Sequence, residues 1–141
     1  MNQTERALHN FIAIMRTKDS IENVVRQDVK QYGLNLTEFA VLELLYSKGE
    51  QPIQKIGDKI LIASSSTTYV VDKLVAKHLV ERCVSSNDRR VYLANLTQEG
   101  ERLMQDIFPK HAKTIEQIFS TLNEEEMKQL QRILLKVNQT T

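Results

Sequence analysis

Two short polar stretches near the middle of the chain carry residue types suited to contact with nucleic acid. Residues 64–68 read SSSTT, and Tyr69 and Lys73 follow them. Short hydroxyl side chains let a helix approach DNA closely and donate hydrogen bonds to phosphates or base edges. Residues 85–90 read SSNDRR, a polar turn whose arginines suit a narrow minor groove. Taken alone, the first stretch is also typical of a polar linker and the second of an ordinary hairpin.

The residues around these stretches predict the elements that position them. Pro52 precedes a short helix, because its missing N–H costs nothing at a helix start. After the turn, Val70, Val71 and Leu74 have the spacing of one buried helix face. The predicted order is helix 53–60, turn 62–64, a helix that runs to about residue 77, strand 79–84, the basic turn and strand 91–96. That is the order of a winged helix-turn-helix, whose second helix enters the major groove of DNA.

Long helices are predicted on both sides of this unit: residues 4–30, a core helix that ends at Gly49, residues 98–122, and a last helix near the C-terminus. Gly33 suits the left-handed position after the first helix, and Thr37 is the expected N-cap of the second. Pro109 predicts a kink or a break in the third. Asn123 and Glu126 predict a capping box for the last.

The fold class that follows is mainly α with a small β-wing. Residues 34–97 form the winged helix-turn-helix lobe of a single domain, 1–141, and residues 1–33 and 98–141 are helical regions for dimerisation. The flanking helices carry more apolar surface than the lobe can cover, including a stripe on the last helix at Met127, Leu130, Leu134 and Val137. A homodimer through these helices would bury the excess. A compact monomeric bundle is the alternative.

Composition agrees with a globular regulator and adds little more. The 141 residues are 41% hydrophobic and 26% charged, with a net charge of +1. Residues 48–96 carry eight Lys or Arg against five Asp or Glu, so the positive charge concentrates in the lobe. We find no signal-peptide pattern and no apolar run of membrane-spanning length, and the single cysteine excludes an internal disulfide. A cytoplasmic location is the expectation.

The wing motif resembles that of MarR-type transcriptional regulators. It consists of Asp88-x-Arg90, five residues, Leu96-Thr97, two residues and Gly100, and the segments 70–74 (VVDKL) and 79–82 (LVER) match the same family. The resemblance covers the whole chain. It implies a dimer on a near-palindromic DNA operator, a repressor, and release by a small phenolic ligand or a cysteine modification.

The resemblance also implies which side chains meet DNA: Ser64, Ser65, Ser66, Thr68, Tyr69 and Lys73 in the major groove, and Asp88, Arg89 and Arg90 at the wing. Two positions depart from the family pattern. His78 stands where relatives have glycine after the recognition helix, and Tyr69 stands where many have arginine.

More narrowly, residues 34–74 resemble the MhqR-like subgroup, which responds to quinones and related aromatics. An aromatic effector needs apolar walls with a few polar groups, and we expect such a pocket where the first helix, the second helix and the helix after the wing converge. The candidate ligand-binding residues are His9, Ile12, Met15, Phe39, Tyr46, Met104, Phe108 and His111. The three histidines show no metal-ligand spacing, so no metal or cofactor is predicted.

Three alternatives stay open. Cys83 is the only thiol and therefore the only candidate for a redox or electrophile switch, although a strand cysteine is commonly inert. A winged helix can also serve as a protein–protein contact module, with Arg89 and Arg90 facing an acidic partner. An enzyme has little support, since the sequence lacks a Gly-rich phosphate loop, a nucleophile elbow and a metal cluster.

Overall fold

The computed structural model describes residues 1–60 and 66–139, and these ranges contain six helices and three strands. The helices are α1 (Gln3–Lys30), α2 (Leu36–Lys48), α3 (Ile53–Lys59), α4 (Thr67–Ala76), α5 (Gln98–Ile118) and α6 (Glu124–Asn138). The strands are β1 (Gln51–Pro52), β2 (Val80–Val84) and β3 (Tyr92–Leu96). The predicted mainly α fold with a small β-wing is confirmed. No helix in the described ranges is long and apolar enough to cross a membrane.

Helix α2 is the centre of the lobe. Its apolar residues point to most sides and are buried, among them Phe39, Val41 and Leu42. The helix begins two residues earlier than predicted, because Asn35 rather than Thr37 is the N-cap. The Asn35 side chain accepts from the Glu38 N–H, and Glu38 accepts from the Asn35 N–H, which completes a capping box. Thr37 instead lies buried in the first turn.

Helices α3 and α4 form the helix-turn-helix. Pro52 is the N-cap of α3, one position outside the helix, as predicted. The two helices approach closely, since a Cβ at Gly57 of α3 would come within 2.9 Å of the Thr67 hydroxyl on α4. Val70, Val71 and Leu74 form the buried face of α4. The predicted turn at 62–64 lies outside the described residues.

The wing is an antiparallel sheet of order β1-β3-β2. Strands β2 and β3 pair from Val80 with Leu96 to Val84 with Tyr92, and the turn at 85–91 joins them. The sequence analysis missed β1, in which Gln51 pairs with Ala94 and Pro52 with Leu93. A two-residue strand has no alternation of its own, so only the tertiary pairing reveals it.

The wing motif joins the sheet to α5 by backbone contacts. The Thr97 hydroxyl donates to the His78 carbonyl at 2.6 Å and accepts from the Gly100 N–H at 3.0 Å. A Cβ at Gly100 would overlap the Leu79 carbonyl oxygen, so only glycine fits there. His78 has φ 63°, which makes it the non-glycine residue with positive φ in the described chain. The glycine-like position predicted from the family pattern is thus confirmed.

The terminal helices differ from the lobe in burial. Residues 1–20 of α1 are exposed, and α6 has no buried residue in the described chain. Asn123 and Glu126 form the predicted capping box of α6. Of the kink or break predicted at Pro109, the break is not observed, because α5 continues through this residue. The helix ends at Ile118 rather than near residue 122.

Candidate nucleic-acid interface and cavity

The solvent face of α4 presents the polar side chains predicted for the major groove. Because Val70, Val71 and Leu74 pack inward, helical periodicity turns the intervening residues outward. The exposed set is Ser66, Thr68, Tyr69, Asp72 and Lys73. Ser64 and Ser65 lie outside the described residues. The helix therefore carries hydroxyl, aromatic and cationic groups on one accessible surface.

Tyr69 and Lys73 form a pair on this surface. They are separated by one helical turn, and the Lys73 Nζ lies 5.6 Å from the centroid of the Tyr69 ring. A cation–π contact of this kind contributes about 0.5–1 kcal/mol at an exposed site. Tyr69 stands where many relatives have arginine, and its ring thus has the Lys73 ammonium at its face.

Arg82 links the wing to the recognition helix, a role that sequence reasoning missed. Its guanidinium forms an ion pair with Asp72 of α4. A small cleft beside this pair lies between α3, α4 and the wing and is lined by Ile53, Gln54, Thr68, Arg82 and Tyr92. No local spacing predicts an ion pair between a helix and a strand ten residues later, so only the structure reveals it.

The wing turn has the predicted geometry. Arg90 Nε and Nη2 donate to the two carboxylate oxygens of Asp88 at 3.2 and 3.3 Å, and the Arg90 backbone N–H donates to Asp88 at 3.0 Å. The hydrogen bonds from the Arg90 side chain and backbone hold the pKa of Asp88 below its ordinary value, so the carboxylate stays ionised at neutral pH. The Arg90 side chain is 90% exposed and Arg89 is also exposed. A fixed, accessible guanidinium is what minor-groove insertion requires.

A cavity of about 460 Å³ opens between α1, α2 and α5. Its walls are apolar apart from two groups, Glu43 and His111. The lining residues are Ile21, Val25, Leu36, Phe39, Ala40, Glu43, Phe108, His111, Ala112 and Ile115. This volume and this ratio of apolar to polar groups are typical of sites for small organic ligands.

His111 connects the three helices that form the cavity. Its Nδ1 lies 3.1 Å from Asp28 Oδ2 on α1, and its Nε2 lies 3.6 Å from Glu43 Oε2 on α2. Gln31 donates to the other oxygen of Asp28 at 3.2 Å. The ring also packs against Phe39, with centroids 4.5 Å apart. The contact with Asp28 is within hydrogen-bond distance, whereas the contact with Glu43 is longer than a hydrogen bond.

The structure brings together part of the predicted ligand set. Phe39, Phe108 and His111 line the cavity, and Tyr46 packs against Phe108 with ring centroids 5.6 Å apart. Met104 is fully buried in the core of the lobe. The remaining three, His9, Ile12 and Met15, are exposed on α1, which lines the cavity only from Ile21 onward.

Asp28 and Glu43 were not identified from the sequence. Asp28 lies between Val25 and Val29 on the buried stripe of α1, and an acidic residue in such a stripe is a usable signal. Glu43 lies among the apolar residues of α2, where the same reasoning would have singled it out.

Cys83 is exposed on β2, and its sulfur lies 3.9 Å from Glu50 Oε2. Partial desolvation raises the pKa of the Cys83 thiol above its ordinary value, and the neighbouring Glu50 carboxylate raises it further. Because the thiolate is the reactive form, this environment works against a thiol switch. Within the described residues no cluster of three or more His, Cys, Asp or Glu could hold a metal ion.

Fold, exposed recognition helix and basic wing together define a winged helix-turn-helix DNA-binding regulator. The MarR family model matches residues 34–92, and the chain belongs to the MarR family. It is 51% identical over 134 residues to the HTH-type transcriptional regulator MhqR of Bacillus subtilis, across 95% of this chain and 92% of that protein, which places it in the MhqR-like subgroup.

Other relatives and solved structures agree. The uncharacterised regulator YkoM of Bacillus subtilis is 39% identical across 95% of this chain and 87% of its own. A MarR-like regulator from Bacillus cereus has the same fold, with a TM-score of 0.83 at 19% identity and 99% coverage of both chains. Bordetella bronchiseptica BpsR, whose DNA binding is regulated by 6-hydroxynicotinic acid, aligns with a TM-score of 0.81 at 22% identity, across 92% of this chain and 98% of BpsR.

Proposed function

We propose that this MarR-family regulator is a homodimeric repressor, released from a near-palindromic operator by a neutral hydroxylated aromatic such as a hydroquinone. The cavity between α1, α2 and α5 is the observation that carries the proposal. Its α2 wall belongs to the helix at the centre of the DNA-binding lobe. A ligand that repositions α2 therefore acts on the element against which the recognition helix packs.

Dimerisation is supported by the apolar residues that the terminal helices leave in solvent. On α1 these are Leu8, Phe11, Ile12, Ile14 and Met15, and on α6 they are Met127, Ile133, Leu134, Leu135 and Val137. A surface of this extent is expected to be covered in a stable soluble protein. A two-fold dimer would also set two recognition helices against two operator half-sites.

The chemistry of the cavity favours a neutral aromatic ring with hydroxyl groups. Phe39 and Phe108 offer ring faces and edges, and Glu43 offers an acceptor for a phenolic O–H. Two carboxylates, of Asp28 and Glu43, surround the single imidazole of His111, so acidic groups outnumber basic groups at this site. An aromatic acid would therefore meet like charge, whereas a phenol or hydroquinone would not.

The test is fluorescence anisotropy on the duplex upstream of the protein's own gene. We expect hydroquinone, kept reduced with ascorbate under argon, to release the wild type and Cys83→Ser equally. 4-Hydroxybenzoate is expected to release the wild type at least about tenfold less effectively, which corresponds to one unit charge repelled across a partly buried site.

Glu43→Gln identifies the group responsible for this selectivity. The change removes the charge but keeps the shape, so the preference for hydroquinone over 4-hydroxybenzoate should largely disappear. Glu116→Gln, an exposed glutamate on α5, is the matched control and should keep the preference. If hydroquinone released the wild type but not Cys83→Ser, a thiol switch would replace ligand binding in the cavity as the proposed mechanism. Failure of every phenol to release the wild type would end the effector proposal.

A further inference from the structure

A second polar network, at the N-terminal end of α2, ties the recognition helix to the base of the lobe. Glu38 lies in the first turn of α2 with its side chain only 3% exposed. One carboxylate oxygen accepts from the Asn35 N–H at 2.9 Å, and the other accepts from the Lys77 ammonium at 2.7 Å. Both oxygens of the buried carboxylate are therefore committed.

Lys77 is the C-cap residue of α4 and reaches two elements at once. Besides Glu38, its Nζ donates to the Gly33 carbonyl at 3.2 Å, in the turn that joins α1 to α2. The next residue, His78, has positive φ and its carbonyl accepts from Thr97. The C-terminal end of the recognition helix is thus fixed to α2 and to the start of α5, and Lys77 provides the charged part of that attachment.

We infer that Glu38 and Lys77 are positioning residues for operator binding. Their ion pair sets where the C-terminal end of α4 lies relative to α2, and thereby the angle at which the exposed face of α4 meets the groove. Lys77 is a cation on a DNA-reading helix, yet its ammonium is engaged by Glu38 and Gly33. It acts through the helix position and makes no phosphate contact.

The same pair extends to the cavity, a step that rests on the proposed function. Phe39, next to Glu38, forms part of the cavity wall and contacts His111. Glu43, just over one turn further along α2, forms another part. An occupant that shifts this wall moves the N-terminal turn of α2, and the ion pair between Glu38 and Lys77 transmits that shift to α4. The pair then carries a share of the coupling free energy between effector and DNA.

The experiment compares Lys77→Met with Lys73→Met, the same substitution one turn earlier on the same helix. Operator affinity is measured over a range of salt, together with affinity for random duplex. We expect Lys77→Met to weaken operator binding about tenfold, with an unchanged salt slope and unchanged random-duplex affinity. Lys73→Met should lower both affinities and reduce the salt slope by about one.

Two further variants separate positioning from general loss of structure. Lys77→Arg keeps the charge and should restore most of the operator affinity, whereas Glu38→Gln should reproduce the loss seen in Lys77→Met. Circular dichroism and thermal unfolding confirm that each variant is folded at the assay temperature. A lower melting temperature with wild-type operator affinity in Lys77→Met would overturn the inference, and so would a salt slope reduced as in Lys73→Met.

The coupling step has its own readout. If hydroquinone releases the wild type, the ratio of operator affinities without and with hydroquinone should fall at least threefold in Lys77→Met. A ratio that is unchanged would remove the coupling role. If no phenol releases the wild type, the proposed effector fails, while the positioning role is still decided by the salt and random-duplex measurements.

Discussion

The winged lobe and the terminal helices differ in how far their apolar side chains are buried. In the lobe, α2 alone buries Leu36, Phe39, Val41, Leu42 and Leu45. In the described part of α6 no residue is buried, although the helix has a leucine-rich stripe. The core of the lobe is closed within one chain, with Val25 and Val29 of α1 and Met104 and Ile107 of α5 contributing to it. The first part of α1 and the described part of α6 instead leave their apolar residues in solvent.

This difference separates two kinds of information in the sequence. The lobe is specified by contacts that the chain makes with itself: the buried faces of α2 and α4, the ion pair between Arg82 and Asp72, and strand pairs across a short turn. The apolar stripes on α1 and α6 instead suit a partner surface, which a single chain does not provide. Changing one region and measuring whether the other is affected is therefore the most direct test that the two regions are independent.

The largest effect is expected from charge on the α6 stripe. Met127→Asp combined with Leu134→Asp should give a folded monomer, because two carboxylates cannot be buried at an apolar interface. Operator affinity should fall about 100-fold or more, since a monomer loses the second half-site. Sedimentation equilibrium and anisotropy measure the two effects. Gln129→Asp, on the opposite face of α6, is the control. A double variant that remains dimeric would place the interface elsewhere and leave the stripe unexplained.

At the junction between the wing and α5, the largest effect is expected at Gly100. Gly100→Ala places a Cβ against the Leu79 carbonyl and should lower the free energy of unfolding by about 3 kcal/mol, the upper end of ordinary overpacking costs. For a chain of this length that corresponds to a decrease of about 10 °C in the melting temperature. Gln98→Ala, exposed in the same turn, is the control and should change little.

The oligomeric state distinguishes the two regions in this experiment. The fraction of Gly100→Ala that remains folded should still form the same oligomer as the wild type, because the α6 stripe is untouched. Dissociation at temperatures where the variant is folded would show that the lobe and the terminal helices are not separable.

A smaller effect is expected at the wing, where function depends on one exposed side chain. Arg90→Ala should weaken operator binding by about 1–3 kcal/mol, because it removes the fixed guanidinium. Arg89→Ala, one residue earlier and without the Asp88 clamp in the described contacts, should cost less. Anisotropy at constant salt measures both. Equal losses would mean that the wing contributes charge only, and an unchanged Arg90→Ala would exclude groove insertion.

Sequence reasoning succeeded where local rules decide the structure. The inner face of α4 follows from helical spacing and the wing hairpin from strand alternation, and both are observed. The positive φ at His78, which the resemblance to the family implied, is observed as well. Sequence reasoning failed where two local rules compete or where a partner element decides. Asn35 replaced Thr37 as the cap because Glu38 completes a box only with Asn35. At Pro109, where a kink or a break was predicted, the break is absent because α5 continues on both sides of it.

The cavity shows the same limit. Phe39, Phe108 and His111 were predicted because aromatic and polar residues on converging helices suggest a pocket. The position along α1 at which the cavity opens depends on how α1 crosses α5, which periodicity does not report. The predicted lining from α1 therefore fell on His9, Ile12 and Met15, which all precede Ile21 by more than one turn.

The smallest expected effect concerns Cys83, which lies on the lobe but outside its core. Since the pKa of its thiol is raised, the thiolate fraction near neutral pH is lower than for an unperturbed thiol. Alkylation by iodoacetamide at pH 7.5 should therefore be slower than for N-acetylcysteine, and should increase as the pH rises through the raised pKa. Mass spectrometry over a pH series measures the rate.

Glu50→Gln tests how much the Glu50 carboxylate contributes to the raised pKa of the Cys83 thiol. The change removes the carboxylate beside the sulfur but leaves the partial desolvation, so the pKa of Cys83 should fall part of the way and the rate at pH 7.5 should increase. Glu99→Gln, an exposed glutamate on α5, is the control. A wild-type rate above that of N-acetylcysteine would make Cys83 an activated thiol. The lobe would then contain a chemical sensor of its own, and release of DNA would need no ligand in the cavity that the lobe shares with α1 and α5.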